Sequence, residues 1–243
     1  MAEKDEVKYE EVGLRSPVLE KLENFWYHYK IHIFVALFVV IILTVVCFQT
    51  CSKVSYDAHI LYAGPHEIKH NAAGPYQTAV SSFKRVCDDF DGDSATNIAL
   101  LDLFVINNEE ADKLLSENEG MEINATLVAE DTEKLGQTIL YGDYYLCFLS
   151  ERLFKEYEQR YADALFVDIT DYTAGLECEL ASEHGVYLSS LNFSSLPEIC
   201  NFPSDTVVCL KKLSEVSSLF GKRDSEKSFS RAEAVLKNIL AYE

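Results

Sequence analysis

The chain has 243 residues, which is room for one moderate domain with extensions and not for two full domains. Hydrophobic residues make up 48% of it, with 14 Phe and 14 Tyr, so the composition supports a packed core and excludes wholesale disorder. A net charge of −19 repels phosphate backbones and anionic headgroups, which excludes nucleic-acid binding and keeps the folded part off the lipid.

Residues 1–15 are charged and read as a disordered cytoplasmic tail. Ser16-Pro17 supplies an N-cap and a favourable first helical residue. Val18, Leu22, Phe25 and Tyr29 recur at helical spacing, so residues 16–30 are predicted as an amphipathic juxtamembrane helix with its apolar stripe at the interface. Residues 33–48 (IFVALFVVIILTVVCF) carry no charge. At about 1.5 Å rise per residue, residues 31–51 span about 31 Å, enough to cross the lipid bilayer as one transmembrane helix. Phe25, Trp26, Tyr27 and Tyr29 sit where aromatic rings meet the headgroups. Residues 1–30 carry seven acidic against five basic side chains, and no small-residue cleavage site follows the apolar run. The segment therefore reads as an uncleaved signal anchor. Lys21 and Lys30, with Arg15 behind them, outweigh Lys53 on the far side. That bias predicts a cell-membrane protein with a cytoplasmic N-terminus and an extracytoplasmic C-terminal domain; the reverse orientation is the alternative.

Residues 52–243 form the outer domain. Residues 56–62 (YDAHILY) are predicted as a strand ending at the turn signal Gly64-Pro65. Residues 75–90 place Tyr76, Ala79, Val80, Phe83, Val86, Cys87 and Phe90 on one helical face. Residues 97–106 (NIALLDLFVI) read as a strand buried on both faces, followed by a helix over 109–117. A short strand over 121–126 and a helix over 128–140 come next. Residues 144–149 (YYLCFL) are a strand, and Ser150 begins a helix running through Tyr161. A short strand over 165–167 precedes a largely irregular stretch, 169–205, broken only by strand-like 186–188. A strand over 207–210 and an amphipathic helix over 230–242 close the chain. Strands alternating with helices predict an α/β domain: a mainly parallel sheet with helices on both faces.

The segment NFWYHYKIH, the single anchor and a strand ending LYAGP resemble a group of bacterial single-pass membrane proteins. Their outer domain looks like part of a type II periplasmic (extracellular solute) binding protein. YGDYYLCFLSERLFKEY, FVDITDY and HGVYLSS are similar to successive segments of that family. The resemblance implies one lobe of a two-lobed fold, because a complete binding protein needs about twice this length. It carries no individual ligand contact onto this chain.

His66, Glu67 and His70 match H-E-x-x-H, in which two histidines one helical turn apart bind zinc and the glutamate serves as base. The match sits between Gly64-Pro65 and Gly74-Pro75, too short for the usual long helix, and no third-ligand pattern follows, so an exposed loop is the expected reading. Asp88, Asp89, Asp91 and Asp93 surround Gly92 as in calcium loops, but Ser94 and Leu100 stand where an EF-hand needs Gly and Glu. A solvated helix end is expected there. The serines at 189, 190, 194 and 195 lie in no nucleophile motif, and no phosphate-binding loop or dinucleotide fingerprint occurs. Seven cysteines include no C-x-x-C pair; Cys87, Cys147, Cys178, Cys200 and Cys209 are expected as buried apolar thiols, with a Cys200–Cys209 pair across the loop they bracket as the alternative.

These readings predict a non-enzymatic, membrane-anchored binding or interaction module without a cofactor, whose partner is a membrane or envelope protein. Two alternatives are a zinc hydrolase built on His66, Glu67 and His70, and a membrane-complex subunit acting through its transmembrane helix.

Overall fold

A computed structural model describes residues 17–51, 55–66, 68, 73–118, 120, 122–196, 199, 202–213 and 222–243. The chain divides into two compact units, with the boundary after Val54.

In the first unit, helix α1 runs without a break over Pro17–Cys51. The predicted juxtamembrane and transmembrane helices are therefore one helix. Its stretch Asn24–Cys47 is long and apolar enough to cross a membrane. Phe25 and Tyr29, four residues apart, pack their rings at 4.9 Å, and the Lys30 ammonium lies 5.3 Å from the Tyr27 ring centre. These are the helical i, i+4 and cation–π contacts expected of an aromatic belt.

The second unit is an α/β domain around one six-stranded sheet, in the order β2-β1-β3-β6-β5-β4. Strands β1 (Ala58–Gly64), β2 (Ile98–Phe104) and β3 (Leu146–Ser150) are parallel. Strand β6 (Thr206–Leu210) runs antiparallel to β3, β5 (Gly185–Tyr187) antiparallel to β6, and β4 (Leu180–Ser182) antiparallel to β5. Four strands thus point one way and two the other. The predicted parallel sheet holds on one side of β3 and gives way to antiparallel pairing beyond it. The reason lies in the connections, since a parallel step needs a crossover of a dozen or more residues. Helices α2 (Ala73–Val86) and α4 (Ala125–Tyr141) supply such crossovers. Strand β4 returns to β5 through a two-residue turn, and the link from β5 to β6 carries only short 3-10 turns.

Side chains alternate between two cores, as the two-residue period of a strand requires. Ile60, Tyr62, Leu146, Phe148, Val208 and Leu210 face α2 and α7 (Lys222–Leu240), where Phe83, Val235, Leu236 and Ile239 cover them. Leu61, Ala63, Cys147, Leu149, Val207 and Cys209 face α4 and α5 (Glu151–Tyr161), covered by Leu135, Ile139, Leu153 and Phe154. The first core is rich in aromatic rings, with Phe83 5.2 Å from Phe148 and Tyr62 5.0 Å from Phe202. Helices thus cover both faces, as the apolar runs predict.

Four local expectations change. Asn124 caps α4, its side chain accepting from the Thr126 and Leu127 N–H groups, so no strand forms over 122–126; Met121 lies outside the described residues. The strand over 165–167 is a single bridge, Phe166 to Lys211. The stretch 169–205 holds the short helix α6 (Thr170–Thr173) and the β4–β5 hairpin. Helix α7 begins at Lys222, eight residues before the predicted start. Helix α3 (Asn108–Glu117) keeps its predicted place through a reciprocal cap: the Asn107 side chain accepts from the Glu110 N–H, and Glu110 accepts from the Asn107 N–H.

The hairpin is held by close packing at Gly185. A Cβ there would lie 2.5 Å from Val207 Cγ1 and 2.7 Å from Phe154 Cζ. Gly185→Ala is expected to cost about 1–3 kcal/mol through overpacking. Urea unfolding checks this, and an unchanged midpoint would show that Phe154 yields freely.

Candidate functional site

Of the residues matching H-E-x-x-H, only His66 and Ile68 lie among the described residues. His66 is exposed in a bend directly after β1, and α2 starts only at Ala73. Glu67 and His70 lie outside the described residues.

The acidic loop is more organised. Asp57, Asp89 and Asp91 bring carboxylate oxygens within 4.8 Å of one another. Asp57 is fully buried just before β1. Its two carboxylate oxygens accept from the Phe90 and Asn97 N–H groups, each at 2.9 Å, and its own N–H donates to the Asn97 carbonyl at 2.8 Å. Asp89 accepts from Gly92 at 2.7 Å and Ser94 at 2.8 Å, which stabilises Ser94 at φ 69. Asp91 accepts from the Asp93 N–H, and Asp93 from the Ala95 N–H. Hydrogen bonds from the Ser55 side chain and the Asp93 N–H hold the Asp91 carboxyl below its ordinary value. The oxygens a cation would take are occupied by backbone N–H groups, so the arrangement ties the 88–97 loop to the start of β1. Asp88 is not among the three grouped aspartates. Asp57 escapes sequence reasoning because it stands more than thirty positions from its partners.

A second place is set by topology. The chain leaves β1 for β2 through α2, then steps back across β1 to β3 through α3 and α4 on the opposite face. The carboxyl ends of β1 and β3 therefore form a switch point, where open α/β sheets offer their ligand crevice. Here Gly64, Ser150 and Thr206 follow the register across β1, β3 and β6. The Tyr62 hydroxyl reaches over Gly64, 2.9 Å from where a Cβ would stand, and the Ser150 Cβ is 3.6 Å from the same point. The Tyr62, Ser150 and Thr206 hydroxyls are buried without a hydrogen-bond partner among the described residues. The His66 backbone amide faces the Tyr62 hydroxyl without reaching bonding geometry. Burial pushes the Tyr62 phenol far above its ordinary value, and the nearby Asp102, Asp205 and Glu110 carboxylates add to it. The surroundings of this row are acidic and repel anions.

The Phe202 ring covers Tyr62 and lines a shallow cavity of about 310 Å³ with Leu188, Ser189, Ser194, Ile199, Pro203 and Ser204. Ser194 donates to the Leu191 carbonyl, and Ser190 donates to the Tyr187 carbonyl while accepting from the Glu179 N–H. These serines shape the loop. Ser182, Glu158 and His184 also meet, but the Ser182 hydroxyl donates to Glu158, and His184 Nδ1 lies 3.1 Å from the same carboxylate oxygen. A serine nucleophile needs its proton taken by the imidazole. This trio instead braces the β4–β5 turn, where the His184 N–H donates to Ser182.

Arg152 joins α5 to the start of α3, its Nε and one terminal nitrogen each 2.9 Å from a different Glu110 oxygen. Lys211, buried at the end of β6, donates to the Thr138 and Gly142 carbonyls at the end of α4 and lies 5.1 Å from the Tyr145 ring centre. Burial lowers its ammonium below the usual lysine range. Both cations act as clamps between elements, and Lys211 also compensates the α4 dipole. Comparisons with known protein families, with curated proteins and with solved structures found no match.

Proposed function

We propose that this chain is a membrane-anchored binding or interaction module. In this reading α1 crosses the bilayer with its N-terminus in the cytoplasm. The 55–243 unit lies outside as a non-enzymatic domain, related to one lobe of a type II solute-binding protein, and engages a membrane or envelope protein.

The observation that carries the reading is α1. Phe34, Val35, Leu37, Phe38, Ile41, Leu43 and Val46 are all exposed along it, an apolar surface that a water-soluble chain does not leave uncovered. The second unit has two filled cores of its own, so it does not depend on that helix for burial. A protein partner suits this unit better than a small molecule. Tight capture of a small ligand needs enclosure, whereas the cavity beside Phe202 is shallow and the Phe202 ring packs over Tyr62. A protein interface is broad and needs no cavity.

Three measurements test this. Protease added to intact cells is expected to remove the 55–243 unit and leave the tail; full protection reverses the orientation. Calorimetry of the full chain in detergent against common sugars, amino acids and short peptides is expected to show no binding. In-cell crosslinking from surface positions of the unit is expected to yield one defined membrane or envelope protein. Micromolar binding of any single compound, with a raised melting temperature, would restore a solute-binding role.

A further inference from the structure

Two of the five described free thiols face each other. Cys147 on β3 and Cys209 on β6 are direct register partners in the antiparallel ladder. The Lys211 N–H donates to the Tyr145 carbonyl at 2.7 Å, so Tyr145 and Lys211 form a hydrogen-bonded pair. The two-residue period makes Cys147 and Cys209 the next such pair, with α carbons about 5.5 Å apart. That separation falls inside the range of about 4.4–6.8 Å that a disulfide spans. Both side chains point to the α4 and α5 face and are fully buried, and Cys147 Sγ lies 3.7 Å from the Tyr144 carbonyl oxygen. Cys209 Sγ lies 3.7 Å from the Cys147 carbonyl oxygen. The remaining described thiols are elsewhere: Cys87 and Cys178 pack on the opposite core, and Cys47 lies on α1. The strand register turns Cys209 toward Cys147, and the possible Cys200–Cys209 pairing falls on Cys200, which lies outside the described residues.

We propose that Cys147 and Cys209 are a disulfide-forming pair, oxidised while the sheet assembles and sealed from solvent once β6 docks. The link would clamp the seam between the parallel and antiparallel halves of the sheet, joining residues 62 positions apart. The reaction needs a disulfide donor such as oxidised glutathione. The Cys147 thiolate attacks one glutathione sulfur, forming a mixed disulfide and releasing one glutathione thiolate. The Cys209 thiolate then attacks the Cys147 sulfur and releases the second. Two protein thiols become one disulfide, and their two protons and two electrons end on two glutathione thiols. The pair takes this form in cells only if the unit lies outside the cytoplasm, and to that extent it rests on the topology proposed above.

The test keeps the two apart. The full chain in detergent is unfolded in guanidinium with reductant, then refolded in oxidised or reduced glutathione, alkylated, digested and mapped by mass spectrometry. Oxidative refolding is expected to yield one linked peptide pair holding Cys147 and Cys209, and a melting temperature about 10 °C above that of the reduced chain, as a loop of this length implies. Cys87→Ser and Cys178→Ser should leave the link in place. Alkylation of all the thiols after oxidative refolding, or a link from Cys209 to Cys200 or Cys178, would overturn the proposal. A link formed in vitro beside reduced thiols in freshly alkylated cells would count against the outer location and leave the pair standing.

Discussion

Asp57→Ala is expected to lower the stability of the 55–243 unit by about 3 kcal/mol, visible as a reduced midpoint in guanidinium unfolding. Both Asp57 carboxylate oxygens accept backbone N–H groups at 2.9 Å, and the side chain is wholly buried. A hydrogen bond to a charged group contributes about 1.5–3 kcal/mol, and its loss here strands the Phe90 and Asn97 N–H groups away from water. The backbone bond from Asp57 to Asn97 survives the substitution, which sets a ceiling on the loss. Asp57→Asn is the sharper variant. It keeps the shape and one acceptor but turns an NH2 group toward one of the two N–H donors, so about half of the effect is expected. Asp91→Ala, at an exposed position, should change the midpoint little. If Asp57→Ala and Asp91→Ala cost the same, the loop is not tied at Asp57.

How much of this was legible follows from which interactions are local. The strands IALLDLF and LCFLS read directly from their apolar runs, LCFLS at the centre of the sheet and IALLDLF at its edge. Helix α3 forms where the sequence places it, and the reciprocal cap of Asn107 and Glu110, three positions apart, fixes its start. The β4–β5 hairpin did not, because its strands are three residues long and β5 is held by pairing with β6, twenty positions on. The first half of α7 is polar (KRDSEKSFS), so its apolar period begins late even though the helix does not. Residues 121–126 misled because Asn124 has two readings in a sequence, turn residue or helix cap, and only its bonds to Thr126 and Leu127 decide. The acidic loop was visible as a cluster, yet its organising residue was not, because Asp57 sits among the apolar residues of a strand start. Cys147 and Cys209 were visible as thiols, but only the β3–β6 register makes them neighbours. The hairpin, Asp57 and the thiol pair depend on contacts across the chain, where neither period nor spacing carries information, whereas Asn124 and the start of α7 are local ambiguities.

The second large effect concerns α1. Replacing Val39 and Leu43, both exposed near its middle, with aspartate is expected to abolish stable membrane insertion. The stretch Asn24–Cys47 has 24 residues, about 36 Å of helix against a hydrocarbon core of about 30 Å, long enough to span it with modest tilt. Inside the core every polar group must be satisfied by the helix itself, and the native sequence respects this: the one hydroxyl there, Thr44, donates to the Val40 carbonyl at 2.7 Å. An aspartate at the centre costs about 2.5–3.5 kcal/mol on insertion scales, so two on one face cost about 6 kcal/mol. The apolar remainder gains only about 0.3–0.6 kcal/mol per Leu, Ile, Phe or Val at such depth, which leaves little margin. The doubly substituted chain should leave the carbonate-washed membrane pellet and appear in the supernatant or be degraded, while Val39→Leu with Leu43→Val stays. Retention of the doubly charged chain in the pellet would mean that α1 does not sit in lipid alone but against another helix that accepts its carboxylates.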